Sequence, residues 1–125
     1  SHVKVLGLDH VQLAMPKGQE ELGRRFYGQL LGLEEIPKPV ELAGRGGLWF
    51  ECGDLQLHLG VEDPFTPARK AHPGLRLAGY EAFIERLTQA GVNVRPDATV
   101  PGMQRSFVDD PFGNRLELVD GQGNG

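Results

Sequence analysis

The chain has 125 residues, a length typical of one domain, and its 17 acidic and 13 basic residues give a formal net charge of −4. No basic stripe marks a surface for nucleic acid or an anionic membrane, so neither is expected as a partner. The single cysteine, Cys52, cannot form an intrachain disulfide, and no leader peptide or long apolar segment is evident, which favours the cytoplasm.

The first half of the chain has the pattern of one strand, one helix and three further strands. Alternating apolar residues predict a strand over residues 6–15, and an amphipathic pattern predicts a helix over 19–31 that Gly32 ends. Further strands are predicted at 33–37, 48–52 and 55–61, the last two joined by a hairpin at Gly53-Asp54. The predicted order is β-α-β-β-β.

The second half repeats that order after a polar, proline-containing stretch. Strands are predicted at 72–77, 92–95, 103–109 and 115–120, with a helix at 80–90 and a tight turn at 110–114. We interpret the chain as one domain over residues 3–120, with a first module at about 6–61, a linker at 62–71 and a second module at 72–120. Residues 1–2 are interpreted as a tag remnant and 121–125 as a flexible tail.

Three histidines and one glutamate lie inside these predicted strands. His10, His58, His72 and Glu117 each point away from apolar neighbours, because successive side chains alternate between the two faces of a strand. Superposing the halves places His10 opposite His72, and His58 opposite Glu117. A half-buried histidine with a satisfied hydrogen bond is the ordinary explanation for any one of them. That all four residues lie at corresponding strand positions in the two halves favours a metal site.

Three segments carry a family resemblance: Leu8-Asp9-His10, FYGQLLGL at 26–33 and DDPFGNRLELVD at 109–120. On these the chain resembles the vicinal oxygen chelate superfamily of glyoxalases, extradiol dioxygenases, fosfomycin-resistance transferases and bleomycin-binding proteins. The resemblance implies an α+β fold of two tandem βαβββ modules whose sheets curl around a central cavity. It also implies metal ligands on the first and last strand of each module.

The resemblance leaves the number of ligands open. Members with three ligands map onto His10, His72 and Glu117, whereas a fourth ligand maps onto His58. In glyoxalase-like members that fourth position is a glutamate that also acts as a base, so His58 departs from their pattern. Glu117 and His58 are the catalytic candidates, and the cofactor is a divalent ion: Fe, Mn, Ni, Co or Zn.

Further residues are predicted to line the substrate cavity. Gln12 shares the face of His10, and Arg76 shares that of His72, where it meets an anionic group or pairs with a carboxylate across the sheet. The remaining candidates for substrate binding are Trp49, Arg105 and Phe107, with ordinary core packing as the alternative for the two aromatic residues.

Two functions follow from these residues. The first is a metal-dependent enzyme that acts on a small oxygenated organic molecule, with lyase, dioxygenase and transferase chemistry all open. The alternative is a metal-free protein that binds or sequesters a small molecule, as bleomycin-resistance proteins do. The resemblance also implies a homodimer.

Overall fold

Two four-stranded mixed sheets with the same strand order make up the protein. The computed structural model describes residues 2–122. Ser1 of the predicted tag remnant and residues 123–125 of the predicted tail lie outside the described residues. The chain divides between Phe65 and Thr66 into two units, each with its own sheet. No helix within residues 2–122 is long and apolar enough to cross a membrane.

The first unit contains four strands, a helix that changes from α-helical to π-helical hydrogen bonding, and a 3-10 helix. Its elements are β1 (His10–Met15), α1 (Glu20–Gly23) with a directly following π-helix (Arg24–Leu30), β2 (Glu35–Ile36), a 3-10 helix (Val40–Arg45), β3 (Leu48–Cys52) and β4 (Leu55–Val61). The sheet order is β1-β4-β3-β2, with β1 parallel to β4 and the other pairs antiparallel.

The second unit repeats this arrangement. Its elements are β5 (Gly74–Leu77), α2 (Tyr80–Gln89), β6 (Arg95–Asp97), β7 (Arg105–Asp109) and β8 (Arg115–Asp120). The order is β5-β8-β7-β6, and β5 runs parallel to β8. The predicted α+β fold of two βαβββ modules is therefore confirmed.

One face of each sheet forms a core. The fully buried side chains of the first unit are Met15, Tyr27, Phe50, Leu57 and Leu59, and those of the second are Leu87, Ser106, Val108, Leu116 and Leu118. In β8 the buried Leu116 and Leu118 alternate with half-buried side chains, as expected when only one face of a strand packs on the core. In β4 His58, between Leu57 and Leu59, is buried as well. The opposite faces carry the polar residues of the candidate site.

Several predicted strands begin too early. β1 begins at His10 rather than residue 6, since Val3, Val5, Leu6 and Leu8 are exposed and lie outside the sheet. β5 begins at Gly74, so His72 precedes the strand, and β7 begins at Arg105. Apolar composition predicts where a strand can form, but the strand begins only where a neighbouring strand is present to pair with it.

The strand predicted at 92–95 lies instead at Arg95–Asp97. Gly91 has a φ of 87°, and the Val92 N–H donates to the Leu87 carbonyl at 3.0 Å, which ends α2 in a left-handed cap. Val92 is therefore part of the helix end.

The first helix also differs from its prediction. It was expected to be a regular amphipathic helix, but the Leu31 N–H donates to the carbonyl of Phe26, five residues earlier, at 2.8 Å. The buried aromatic residues Phe26 and Tyr27 lie in this π-helical part. The apolar pattern gave no sign of the wider turn.

Candidate functional site

Three rings stack on the polar face of the first sheet. Because strand side chains alternate, His10 of β1, His58 of β4 and Trp49 of β3 all point away from the buried leucines. The centroids of Trp49 and His58 are 3.9 Å apart with the planes 2° from parallel, and those of His58 and His10 are 4.4 Å apart. His58 lies between the other two rings and is only 4% exposed.

His58 is held as a neutral side chain. Its Nε2 lies 2.8 Å from Oε1 of Gln56, two residues back on the same strand, and because an amide oxygen only accepts, Nε2 carries the proton. Burial lowers the pKa of His58, and the neighbouring His10 lowers it further against a smaller opposing effect of Asp9. Nδ1 is therefore the ring nitrogen left with a lone pair.

His10 and Gln12 occupy neighbouring places on the same face. The Nδ1 of His10 lies 2.9 Å from Oδ2 of Asp9, which directs its Nε2 away from the carboxylate. A ring fixed in this way through one nitrogen is typical of histidines that bind a metal through the other. Gln12 lies over Gly60 of β4, where a Cβ atom would collide with the Gln12 amide.

In the second unit the central contact joins His72 and Glu117. Nε2 of His72 lies 3.1 Å from Oε1 of Glu117, and its Nδ1 lies 2.8 Å from the carbonyl oxygen of Lys70. Both partners only accept hydrogen bonds, so the ring either carries a proton on each nitrogen or presents Nε2 to a cation. Glu117 is on β8 between the buried Leu116 and Leu118, and faces away from them.

Arg105 fixes the other oxygen of Glu117. Its Nη1 donates to Oε2 of Glu117 at 2.9 Å, and its Nη2 donates to Oδ1 of Asp97 on β6 at 3.3 Å. The hydrogen bond from Arg105 is the main cause that lowers the pKa of Glu117, and the bond to His72 adds to it. The pKa of Asp97 is lowered chiefly by hydrogen bonds from Thr99. Glu117 is therefore an ionised carboxylate with Oε1 directed at His72.

Phe107 is at the centre of the polar side chains on this face. It lies directly opposite Glu117 in the sheet, and the His72 ring meets it edge-on with the centroids 5.4 Å apart. The Cζ atoms of Arg105 and Arg115 lie 5.4 and 5.6 Å from its centroid. Both guanidinium groups are thus in range of a cation–π interaction.

The candidate residues fall into two groups, one in each unit. The first unit holds His10, Gln12, Trp49 and His58, and the second holds His72, Arg76, Arg105, Phe107 and Glu117. Within residues 2–122 no three His, Cys, Asp or Glu side chains form a cluster that could hold a metal ion. The set of His10, His72 and Glu117, with or without His58, stays a prediction.

The chemistry of these donors nevertheless fits a divalent metal. His10 and His72 are each anchored through Nδ1 to an oxygen, and Glu117 is ionised with one oxygen fixed by Arg105. Imidazole and carboxylate are suitable ligands for Fe, Mn, Ni, Co and Zn.

The structure adds residues that the sequence did not single out. Asp9 and the Lys70 carbonyl orient the two histidines, and Asp97 orients Arg105. Arg115 precedes Glu117 by two residues and shares its face of the sheet. Its position two residues before Glu117 on the same strand could have identified Arg115 from the sequence. The contact of Asp97 with Arg105 could not be identified in this way, because it depends on the register of β6 against β7.

A family model now decides the wider relationship, because the Glyoxalase/Bleomycin resistance protein/Dioxygenase superfamily matches residues 7–118. The chain belongs to this superfamily. A glyoxalase family protein from Bacillus anthracis is 46% identical over 96% of this chain and 98% of its own, with a TM-score of 0.92. The comparison with curated proteins found no match.

More distant structures share the superfamily fold. The fosfomycin resistance protein FosX from Listeria monocytogenes is 18% identical, with a TM-score of 0.75 over 95% of this chain and 96% of its own. Lactoylglutathione lyase from Agrobacterium tumefaciens is 17% identical, with a TM-score of 0.68 over 94% of this chain and 95% of its own. At these identities the likeness concerns the fold.

Proposed function

We propose that the protein is a divalent-metal-dependent enzyme that acts on a small oxygenated organic molecule. The observation that carries this proposal is the pair formed by His72 and Glu117, in which a histidine held by the Lys70 carbonyl meets an ionised carboxylate at 3.1 Å. A divalent cation would be held by His72 and Glu117, since imidazole nitrogens and carboxylate oxygens are both ligands of divalent metals.

The proposed ligands are His72 and Glu117 of the second unit and His10 of the first. When bound, a divalent ion with open positions polarises the oxygens of a substrate and stabilises negative charge on them. Arg105 holds Oε2 of Glu117, so that the carboxylate offers Oε1 to the ion. Lys70 and Asp9 keep the two imidazoles in the tautomer that binds through Nε2.

His58 supports this set rather than completing it. Its ring stacks on His10, and its Nε2 is used by Gln56. We therefore assign His58 the role of holding the His10 ring, and the site has three protein ligands. Lyase, dioxygenase and transferase chemistry are all compatible with such a set of ligands.

The test is the metal content of the tag-free protein, followed by calorimetric titration of the metal-stripped protein with Mn, Fe, Co, Ni and Zn. We expect near-stoichiometric binding by the native protein and loss of at least tenfold in affinity in His10→Ala, His72→Ala and Glu117→Ala. His58→Ala should keep most of the affinity.

Glu85→Gln is the matched control, because Glu85 is an exposed carboxylate on α2 that pairs only with Gln89 in the described structure. Native stoichiometry in the Glu117→Ala protein would contradict the proposed site. Circular dichroism shows that each variant has kept its fold.

The second candidate function is metal-free binding of a small molecule. It is favoured by the fact that Glu117 is already satisfied by Arg105 and His72, which leaves no carboxylate oxygen without a partner. Failure of every ion to bind the native protein would support this second function.

The resemblance also implies a homodimer, and the cysteine content favours the cytoplasm. We propose both a homodimer and a cytoplasmic location. Sedimentation equilibrium of the tag-free protein tests the first, with a mass of twice 13.7 kDa expected. Fractionation of cells that express the chain with a small epitope at its end tests the second.

A further inference from the structure

Four arginines lie on the face of the second sheet that carries Glu117. Register places Arg105, Arg115 and Arg76 on this face together with Glu117, and Arg95 beside Phe107 at the other end of the same row. An arginine on this face is available to bind an anion only if no carboxylate already neutralises it.

Two of these arginines are neutralised. Arg105 bonds to Glu117 and Asp97, and Arg95 bonds to Asp109 at 3.1 Å. Asp109 lies directly opposite Arg115 in the sheet, but its carboxylate pairs with Arg95. Within residues 2–122 no carboxylate lies at ion-pair distance from Arg115.

Arg115 is nevertheless a positioned side chain. It is half-buried, and its Cζ lies 5.6 Å from the centroid of Phe107, whose ring is also contacted by His72. A guanidinium placed over an aromatic ring keeps its N–H donors free at the edge while its face is covered. Little side-chain freedom is then left to lose when an anion binds.

We propose that Arg115 binds an anionic oxygen group, a carboxylate or a phosphoryl group, of the molecule that the site accepts. The fork of N–H donors on a guanidinium matches two oxygens of either group. Arg76, exposed on β5 and on the same face, adds a second positive charge. This inference rests on the proposed function for the location of the reacting end, at His72 and Glu117.

The substrate is then a small organic molecule with a negatively charged group at one end. Arg115 and His72 both contact Phe107, so one small molecule can place its anionic group on Arg115 and its other oxygens near His72. Arg105 stays a predicted substrate contact, but its Nη1 and Nη2 donate to Glu117 and Asp97, whereas Arg115 has no carboxylate partner within residues 2–122. Arg115 is therefore the arginine that we assign to the anionic group.

The test uses nuclear magnetic resonance of the metal-stripped, ¹⁵N-labelled protein, and it therefore does not depend on metal binding. The arginine Nε–Hε signal of Arg115, identified by its loss in Arg115→Lys, is followed while inorganic phosphate or malonate is added. We expect a saturable shift of this signal with at least one of the two anions.

Variants complete the test. Because variants at position 115 lack the arginine signal, binding to every variant is followed through the backbone amide signals of Phe107 and Glu117, which lie on the same face of the sheet. Arg115→Gln should weaken the binding at least tenfold, and Arg115→Lys should weaken it less. Arg86→Gln should leave it unchanged, since Arg86 also lies over a phenylalanine, Phe83, but on α2. Phosphate alone identifies a phosphoryl group, malonate alone a carboxylate, and both together a site that accepts either.

Saturable binding that survives in Arg115→Gln, or no saturable binding by either anion to a native protein that is folded, would overturn the inference. Neither result bears on the metal titration. If the native protein binds an anion but none of the metal ions, only the proposed function is overturned.

Discussion

Three side chains of the site are oriented by a hydrogen bond with a nearby residue. His58 donates to Gln56 and His10 donates to Asp9, whereas Glu117 accepts from Arg105. Alternation along a strand predicted which side chains share a face, and so the grouping of His10 with His58 and Gln12. The role of Arg105 was not predictable, because it depends on which residues of β6 and β8 lie beside it.

The pKa of His58 leads to a dependence of stability on pH. Burial lowers this pKa below its ordinary value of 6.5, so the folded state prefers the neutral ring. Stability should be complete above pH 6.5 and should fall as the pH decreases from there towards the pKa of the folded state. Urea unfolding at a series of pH values measures this, and His58→Gln should reduce the dependence in that range.

Direct titration of the His58 ring by proton magnetic resonance is the accompanying control. A folded-state pKa at or above 6.5 would contradict the argument that burial between Trp49 and His10 disfavours the charged ring.

Removal of Arg105 should change the ionisation of Glu117. The Arg105 hydrogen bond is the main reason that the pKa of Glu117 is lowered, so Arg105→Gln should raise it towards the ordinary value of 4.5. The stability that this ionised pair supplies is present above pH 4.5 and is lost as the pH falls through the folded-state pKa. Carboxyl ¹³C titration of the metal-free protein measures the shift.

Arg95→Gln is the matched control, because Arg95 is on the same sheet but pairs with Asp109. An equal rise of the Glu117 pKa in both variants would show that general charge, rather than the bond from Arg105, lowers it.

At the scale of elements, the turn between β7 and β8 sets the position of Arg115 and Glu117. Asp110 Oδ1 accepts from the N–H groups of Phe112 and Asn114, both at 2.9 Å, and its Oδ2 accepts from the Asn114 amide. Gly113 has a φ of 93°, which a residue with a side chain rarely adopts. The tight turn predicted at 110–114 is confirmed.

Asp110→Ala should cost about 1.5–3 kcal/mol of unfolding free energy, because it removes hydrogen bonds to a charged acceptor in a buried turn. Asp109→Asn, which breaks only the exposed pair with Arg95, should cost less than about 1 kcal/mol. Chemical denaturation measures both. Equal losses would mean that the Asp110 bonds are not what stabilises the turn.

Element types were more predictable than element ends. Turn residues and apolar alternation predicted the number and order of the strands in both modules, most clearly for β4 and β8, which bury leucines on one face. The ends depend on tertiary partners: β1 begins only where its pairing with β4 begins, and Val92 is used by the cap of α2. The π-helix after α1 has no signature in a 3.6-residue pattern.

At the scale of the whole molecule, the two sheets repeat one topology. In each, the first strand lies at the edge and runs parallel to the last strand of its module. Leu57 and Leu116 immediately precede His58 and Glu117, and both are buried. The repeated βαβββ order in the sequence was enough to predict this duplication, since each half has to bury its own apolar faces.

Equivalent core substitutions should therefore have similar effects. Leu57→Ala and Leu116→Ala should each lower the unfolding free energy by about 2–5 kcal/mol, the usual cost of a cavity at a buried leucine. Leu6→Ala is the control, because Leu6 is 89% exposed and its change should cost less than about 0.5 kcal/mol. Urea denaturation followed by circular dichroism tests both leucines, and a loss below 1 kcal/mol at either would contradict its placement in the core.

Trp49 is the only tryptophan of the chain, and its indole lies flat against the His58 ring. All the tryptophan emission of the protein therefore comes from a ring in contact with an imidazole, and a protonated imidazole quenches an excited indole. The fluorescence of Trp49 should therefore decrease when His58 becomes protonated, so that it reports the charge of this histidine without any added label.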